Sequence, residues 1–150
     1  MGVEPVNILV KEPSCDPVIA DIRDQWDWIR PALLEIKSDT PTITWRPEDV
    51  YAECVYGNAL LHIAAEGFAI TTVLTDQYTK DRTLHFWICW AKRKGGKNVL
   101  KYLPFFKNVA QELECKFFEL GTSVKELDPY FKINGWTLTT RTYRREVNVK

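Results

Sequence analysis

Long apolar runs are missing from this sequence. None approaches the ~20 residues that a bilayer-spanning helix requires, so no membrane association is expected. An excess of charge of one sign is missing too: 20 Lys and Arg are cancelled by 20 Asp and Glu, which removes the electrostatic footprint of a nucleic-acid-binding protein. Histidine is scarce, with two residues, and the four cysteines (Cys15, Cys54, Cys89, Cys115) are scattered without CxxC spacing. That pattern predicts neither a metal site nor a disulfide framework, and the thiols read as reduced and mostly buried. The opening MGVEPVNILVKEPSC has no apolar signal-peptide core and no Ser or Thr where a myristoylation signal needs one, so the expected location is cytoplasmic. There is no internal repeat, low-complexity stretch or dividing linker. With 45% hydrophobic and 27% charged residues, the 150-residue chain reads as one domain over positions 1–150.

What is present is a change of period along the chain. Val6 to Lys11 reads as a short strand bounded by Pro5 and Pro13. Asp16-Pro17 reads as a helix start, and Ile19, Ile22, Trp26 and Ile29 then recur at helical spacing. Pro31 either kinks that helix or ends it before a restart at PALLEIK. A polar connection follows over Ser38 to Thr44. Pro47, Glu48 and Asp49 open a second helix that Gly57-Asn58 closes. From Ala59 the pattern turns extended. ALLHIAA, a turn at Glu66-Gly67 and FAITTVLTD predict a hairpin, and a charged turn over Gln77 to Arg82 leads to TLHFWICWA.

The stretch from Thr83 to Thr122 organises the rest. Its first strand is apolar on both faces, as suits a central strand covered by helices on both sides. The basic segment KRKGGKN, a helix through VLKYLPFFKNVAQEL and a second strand in ECKFFELGT follow. A helical crossover makes the two strands parallel. The end of the first strand and the loop (Trp90, Ala91, Arg93, Lys94, Gly95, Gly96, Lys97, Asn98) combine flexible glycine backbone, positive charge and the amide end of a helix, a combination that suits a phosphate or pyrophosphate. The competing reading is an ordinary solvated basic turn. Ser123 is then expected to cap a short helix ending at Asn134-Gly135, and WTLTTRTYRREVNV reads as strand.

The order β-α-α-β-β-β-loop-α-β-α-β resembles the GCN5-related N-acetyltransferase fold, a mixed central sheet with helices on both faces. In that family the phosphate loop reads Q/R-x-x-G-x-G/A. Arg93 and Gly96 stand at matching positions here, and Asn98 replaces the last small residue. The family's FYEKLGF-like ending is similar to Tyr130-Phe131-Lys132-Ile133-Asn134-Gly135-Trp136, with Phe131 where the family carries its general-acid Tyr. Tyr130 lies about 100° round the helix from that position, which predicts that it points elsewhere. Asp49-Val50-Tyr51-Ala52, Gly57, Leu84-His85, Trp87, Tyr102-Leu103-Pro104 and Gly135-Trp136 also resemble divergent acetyltransferase-like proteins of tailed bacteriophages. The resemblance implies acetyl-CoA as cofactor and an amine as acceptor. Its phage branch implies either such an enzyme in the host cytoplasm or a non-catalytic virion, assembly or host-interaction protein.

For the proton transfers of acyl transfer the sequence offers three candidates: Glu119, His85 and Tyr130. His85 lies among apolar neighbours and has a near-neutral pKa by type, but a core histidine satisfied by one hydrogen bond explains it equally simply. Glu119 is a charge in an apolar strand, which exposure at a strand end also explains. His62 reads as a packing residue. Trp26 and Trp28, two apart on one helix, cannot share a face, so one is expected to be exposed as a protein contact. The basic tail residues Arg141, Arg144, Arg145 and Lys150 read as a charged, solvated strand edge.

Overall fold

Alternating apolar residues between 60 and 91 build the centre of the molecule as an antiparallel meander of β2 (Leu60–Ala64), β3 (Gly67–Thr75) and β4 (Arg82–Ala91). The computed structural model describes residues 16–93, 101–122 and 124–148. The β3–β4 turn is fixed by Asp76, whose Oδ1 accepts from the amides of Tyr78 and Thr79, and by Lys80 at φ 65°. Helix α3 (Leu103–Glu112) then leads to β5 (Phe117–Leu120), which lies parallel to β4. With β1 (Val18–Ala20) antiparallel to β2, the sheet order is β1-β2-β3-β4-β5.

Helices cover both faces. On one side α1 (Ile22–Asp39) turns Ile22, Ile29 and Leu33 inward against Val50 of α2 (Pro47–Val55) and Leu61, Ile70 and Ile88 of the sheet. Ile29, Leu33 and Val50 are fully buried, each contributing about 1.5–3 kcal/mol of apolar burial. On the other side Phe106 and Ala110 of α3 close over Ala69, Leu84 and Phe86, with the Phe86 and Phe106 rings edge-to-face at 4.9 Å. A 3₁₀ turn (Lys125–Leu127) leads into α4 (Asp128–Ile133), which ends at Gly135 with φ 85°, a conformation that favours glycine. No described helix is long and apolar enough to cross a membrane.

Several expectations change. Residues 18–20 form an edge strand where a helical first turn was expected. Asp21, not Asp16, caps α1 by accepting from the Arg23 amide. The Ile19 spacing that suggested a helix is shared by chance with a strand whose Val18 and Ile19 are exposed. Pro31 neither ends nor restarts α1, which runs through it. Trp26 and Trp28 do occupy different faces, yet both are half-buried, against Tyr51 and against Phe68 and Trp90 respectively. Residues 136–146 form no strand, although their β-branched and aromatic composition favours one. The expected strand at Val6 to Lys11, the Ser123 cap and loop positions 94–98 lie outside the described residues.

Candidate functional site

The site is a fork in the sheet. β4 and β5 pair from Thr83–Phe117 to Phe86–Leu120, after which β4 runs on to Ala91 while β5 ends. Just beyond the last pair, the β3–β4 register steps from Thr71–Phe86 to Ile70–Ile88, so Trp87 is an extra residue in β4. Such a bulge bends the strand and re-aims its groups. Side chains of β4 change face across it. Leu84 and Phe86 pack toward α3, whereas Trp87, Ile88 and Trp90 pack toward α1 and α2.

A cavity of about 510 Å³ passes through the opening. It is bounded toward α3 by His62, Cys89, Tyr102 and Phe106, and toward α1 by Ile36, Ile43, Trp45 and Trp87. Gly121, Thr122, Tyr130 and Phe131 form the wall beyond β5. Gly67 keeps the neighbouring strands close. A Cβ there would stand 2.0 Å from the Trp90 carbonyl oxygen, so no other residue fits without moving β4. Cys89 lines the cavity and is exposed, and Cys54 and Cys115 are half-buried, so the expectation of mostly buried thiols is corrected; partial desolvation by the cavity walls pushes the Cys89 thiol up.

Next to the cavity, β4 and β5 bring together two of the predicted residues. His85 and Glu119 are directly opposite in the parallel ladder, and His85 Nδ1 lies 2.9 Å from Glu119 Oε1. An ionised carboxylate can only accept, so Nδ1 carries a proton, and in the neutral imidazole the lone pair is then on Nε2. His85 is therefore not a core histidine, and Glu119 is exposed but partnered. The pair sits one rung below the fork, on the face opposite Phe86 and Leu120, and does not itself line the cavity. Tyr130, the third candidate, does line it, as does Phe131. Tyr130 and Phe131, about 100° apart round a six-residue helix, both border this broad opening.

Of the expected cofactor-binding residues, Trp90 and Ala91 line the cavity and Arg93 is exposed beyond the strand end. Lys94, Gly95, Gly96, Lys97 and Asn98 lie outside the described residues. Trp90 stacks on Phe68 at 5.8 Å and so packs toward α1 instead of crossing the gap. Sequence reasoning missed the group at the α3 side of the mouth. There Glu66 accepts from Lys101 Nζ and Tyr102 Oη, which together hold its carboxyl down at about 2. Desolvation, and then Glu66, raise the Tyr102 phenol. It also missed the Ile36, Ile43, Trp45 and Trp87 wall. The bulge that turns Trp87 onto that wall leaves no mark in an apolar run.

A five-stranded mixed sheet, helices on both faces, a bulged β4 and a fork at β5 together define the class: the chain has the GCN5-related acetyltransferase fold. No protein-family model matches it, and no curated protein matches it in sequence. Solved structures do match. Ribosomal-protein-alanine N-acetyltransferase from Brucella melitensis biovar Abortus 2308 is similar with a TM-score of 0.62 and 17% identity, over 89% of this chain and 99% of that one. A possible acetyltransferase from Clostridium difficile 630 gives 0.65 and 15%, over 88% and 97%. An aminoglycoside acetyltransferase from an uncultured soil metagenomic sample, solved with sisomicin, gives 0.60 and 10%, over 90% and 96%. At such identities the likeness is one of fold.

Proposed function

We propose that this protein is an acyl-CoA-dependent N-acyltransferase that moves an acetyl group from acetyl-CoA to an amine. One observation carries the reading: a cavity runs through the sheet where β4 leaves β5. Beyond Phe86 no described strand lies beside the β5-side edge of β4, so alternate N–H and C=O groups there are turned toward the cavity. That donor and acceptor set fits the two amides of a pantetheine arm, which Trp90 and Ala91 would flank. Arg93 and the glycine loop through Asn98 would hold the pyrophosphate.

Acetyl-CoA, when bound, supplies an activated acyl thioester. The chain's own residues do the rest. A backbone N–H at the Trp87 bulge would donate to an oxygen gaining negative charge. His85 Nε2, oriented by Glu119, takes the proton that the amine loses as its C–N bond forms, through one water because the pair stands outside the cavity. The phenol of Tyr130, which lines the cavity, would protonate the departing sulfur as the C–S bond breaks.

Calorimetry with acetyl-CoA tests the reading. Saturable binding that is lost on Gly96→Trp supports it, and a folded protein that binds nothing at millimolar ligand removes it. Phe131, at the family's Tyr position, favours a second reading in which a phage-type protein keeps this fold as a virion or host-interaction component. Turnover of acetyl-CoA by the monomer would exclude that reading, and fixed-copy incorporation into particles without turnover would establish it.

A further inference from the structure

The two ends of the cavity differ in chemistry, and the difference bears on the acceptor. Toward α3 the wall is polar, with Glu66 and Tyr102 at the mouth. Toward α1 it is made by Ile36, Thr40, Ile43, Trp45 and Trp87. The Trp45 and Trp87 rings meet edge-to-face at 6.5 Å, which leaves a corner of two aromatic planes. Lys37 fixes that corner: its Nζ donates to the Trp45 carbonyl at 2.5 Å and stands 5.6 Å from the Trp45 ring centroid. Among the described residues lining the cavity, Glu66 is the one carboxylate. It faces the opposite lobe and is already engaged by Lys101 and Tyr102.

We infer that the acceptor is a small primary amine carried on a flat apolar ring, seated against the corner formed by Trp45 and Trp87, and not a polyamine or aminoglycoside. The inference rests on the acyltransferase reading for the words "acceptor" and "amine". Its chemistry rests on the lobe alone. A polycation needs carboxylates to replace the water it leaves behind, and among the described residues none lines this lobe; the one charge tied to its corner is the ammonium of Lys37 behind Trp45, of the polycation's own sign. A ring gains edge and face contacts with two indoles. The apolar wall also disfavours the ammonium form of a single amine, which raises the share of the neutral nucleophile that acyl transfer requires.

Calorimetry of the full chain with phenethylamine and with spermidine, each with and without desulfo-CoA, tests this independently of turnover. Phenethylamine is expected to saturate and spermidine not to. Trp45→Ala is expected to weaken phenethylamine by about tenfold, the loss that truncating a buried aromatic anchor ordinarily brings. Ile43→Glu, at a half-buried position in the α1–α2 connection, keeps the test open if Trp45→Ala fails to fold. It is expected to weaken phenethylamine and to introduce spermidine binding. Spermidine binding as tightly as phenethylamine overturns the inference, as does acetyl-CoA binding with no affinity for phenethylamine. Phenethylamine binding without any affinity for acetyl-CoA would remove the acyltransferase reading and leave the preference of this lobe standing.

Discussion

His62 and His85 stand on opposite faces of one sheet and show what each face is for. His62, on β2, is 1% exposed; its Nε2 meets Thr71 Oγ1 at 2.9 Å, Nδ1 has no hydrogen-bond partner among the described residues, and Phe105 and Phe106 enclose the ring. Burial alone pushes its pKa down to about 4, so it is neutral at physiological pH. His85, on β4, is partly open and has a carboxylate across the ladder. A histidine enclosed by phenylalanines resists protonation, whereas His85 has a carboxylate partner and stands at the rim of an opening. Around His62 the α3 face is closed off, although its mouth is polar at Glu66 and Tyr102, and the α1–α2 face is where His85 gives proton chemistry a place to occur.

The closed-off region can be broken most severely at Phe106, which is 2% exposed and touches His62, Phe86 and Phe105. Phe106→Ala is expected to lower stability by about 3–5 kcal/mol in chemical denaturation, from lost burial and the void left behind. A loss below about 1 kcal/mol would mean that α3 is loosely packed and that the contrast between the faces is overstated.

Acid sharpens the same contrast. The folded-state pKa of His62, about 4, is below its ordinary 6.5, so the unfolded chain binds more protons between those values. The contribution is fully present above pH 6.5 and is lost as pH falls toward 4, amounting to about 3 kcal/mol over that window. Melting curves of the wild type and of His62→Gln from pH 7.5 to 4 are expected to converge at the acid end. Parallel curves would show that His62 is not charged on unfolding.

The open face is tested through activity. His85→Gln and Glu119→Gln are each expected to reduce turnover by about a hundredfold, the lower range for loss of a general base, with little change in melting temperature because both side chains reach solvent. Acetyl-CoA affinity should be unchanged, since neither residue lines the cavity. Unchanged rates in both variants would return His85 to a structural role.

How much of this was legible beforehand follows from the range of the forces involved. The β2–β3–β4 meander, the helical crossover to a parallel β5 and the α2 start at Pro47 are written in local period and turn chemistry; the meander strands came through with boundaries shifted by about a residue, whereas β5 is shorter than expected at both ends. The fork did not come through as geometry; it was expected only by resemblance, because the departure of β5 from β4 depends on pairings 34 residues apart. The bulge at Trp87 and the Glu66–Tyr102 contact depend likewise on strands and turns meeting in space. The residues 18–20 failed for the opposite reason. Three residues are too few for a period, and an edge position owes its conformation to its neighbour β2.

Tyr130 should show the smallest effect, and the reason is chemical. It shares the cavity wall with Phe131, so Tyr130→Phe removes one hydroxyl and keeps the ring. A thiol with a pKa near 8.5 leaves readily as thiolate, so protonation by the phenol adds little in the transition state, and about a tenfold loss in kcat is expected. The double variant carrying His85→Gln separates the two roles. Because the base acts on the amine and the acid on the sulfur, the losses should add in free energy to within about 0.5 kcal/mol if the groups act independently. A Tyr130→Phe loss as large as that of His85→Gln would instead mean that breakage of the C–S bond limits the rate, and that the wall beyond β5, not the face beneath α1, carries the harder half of the chemistry.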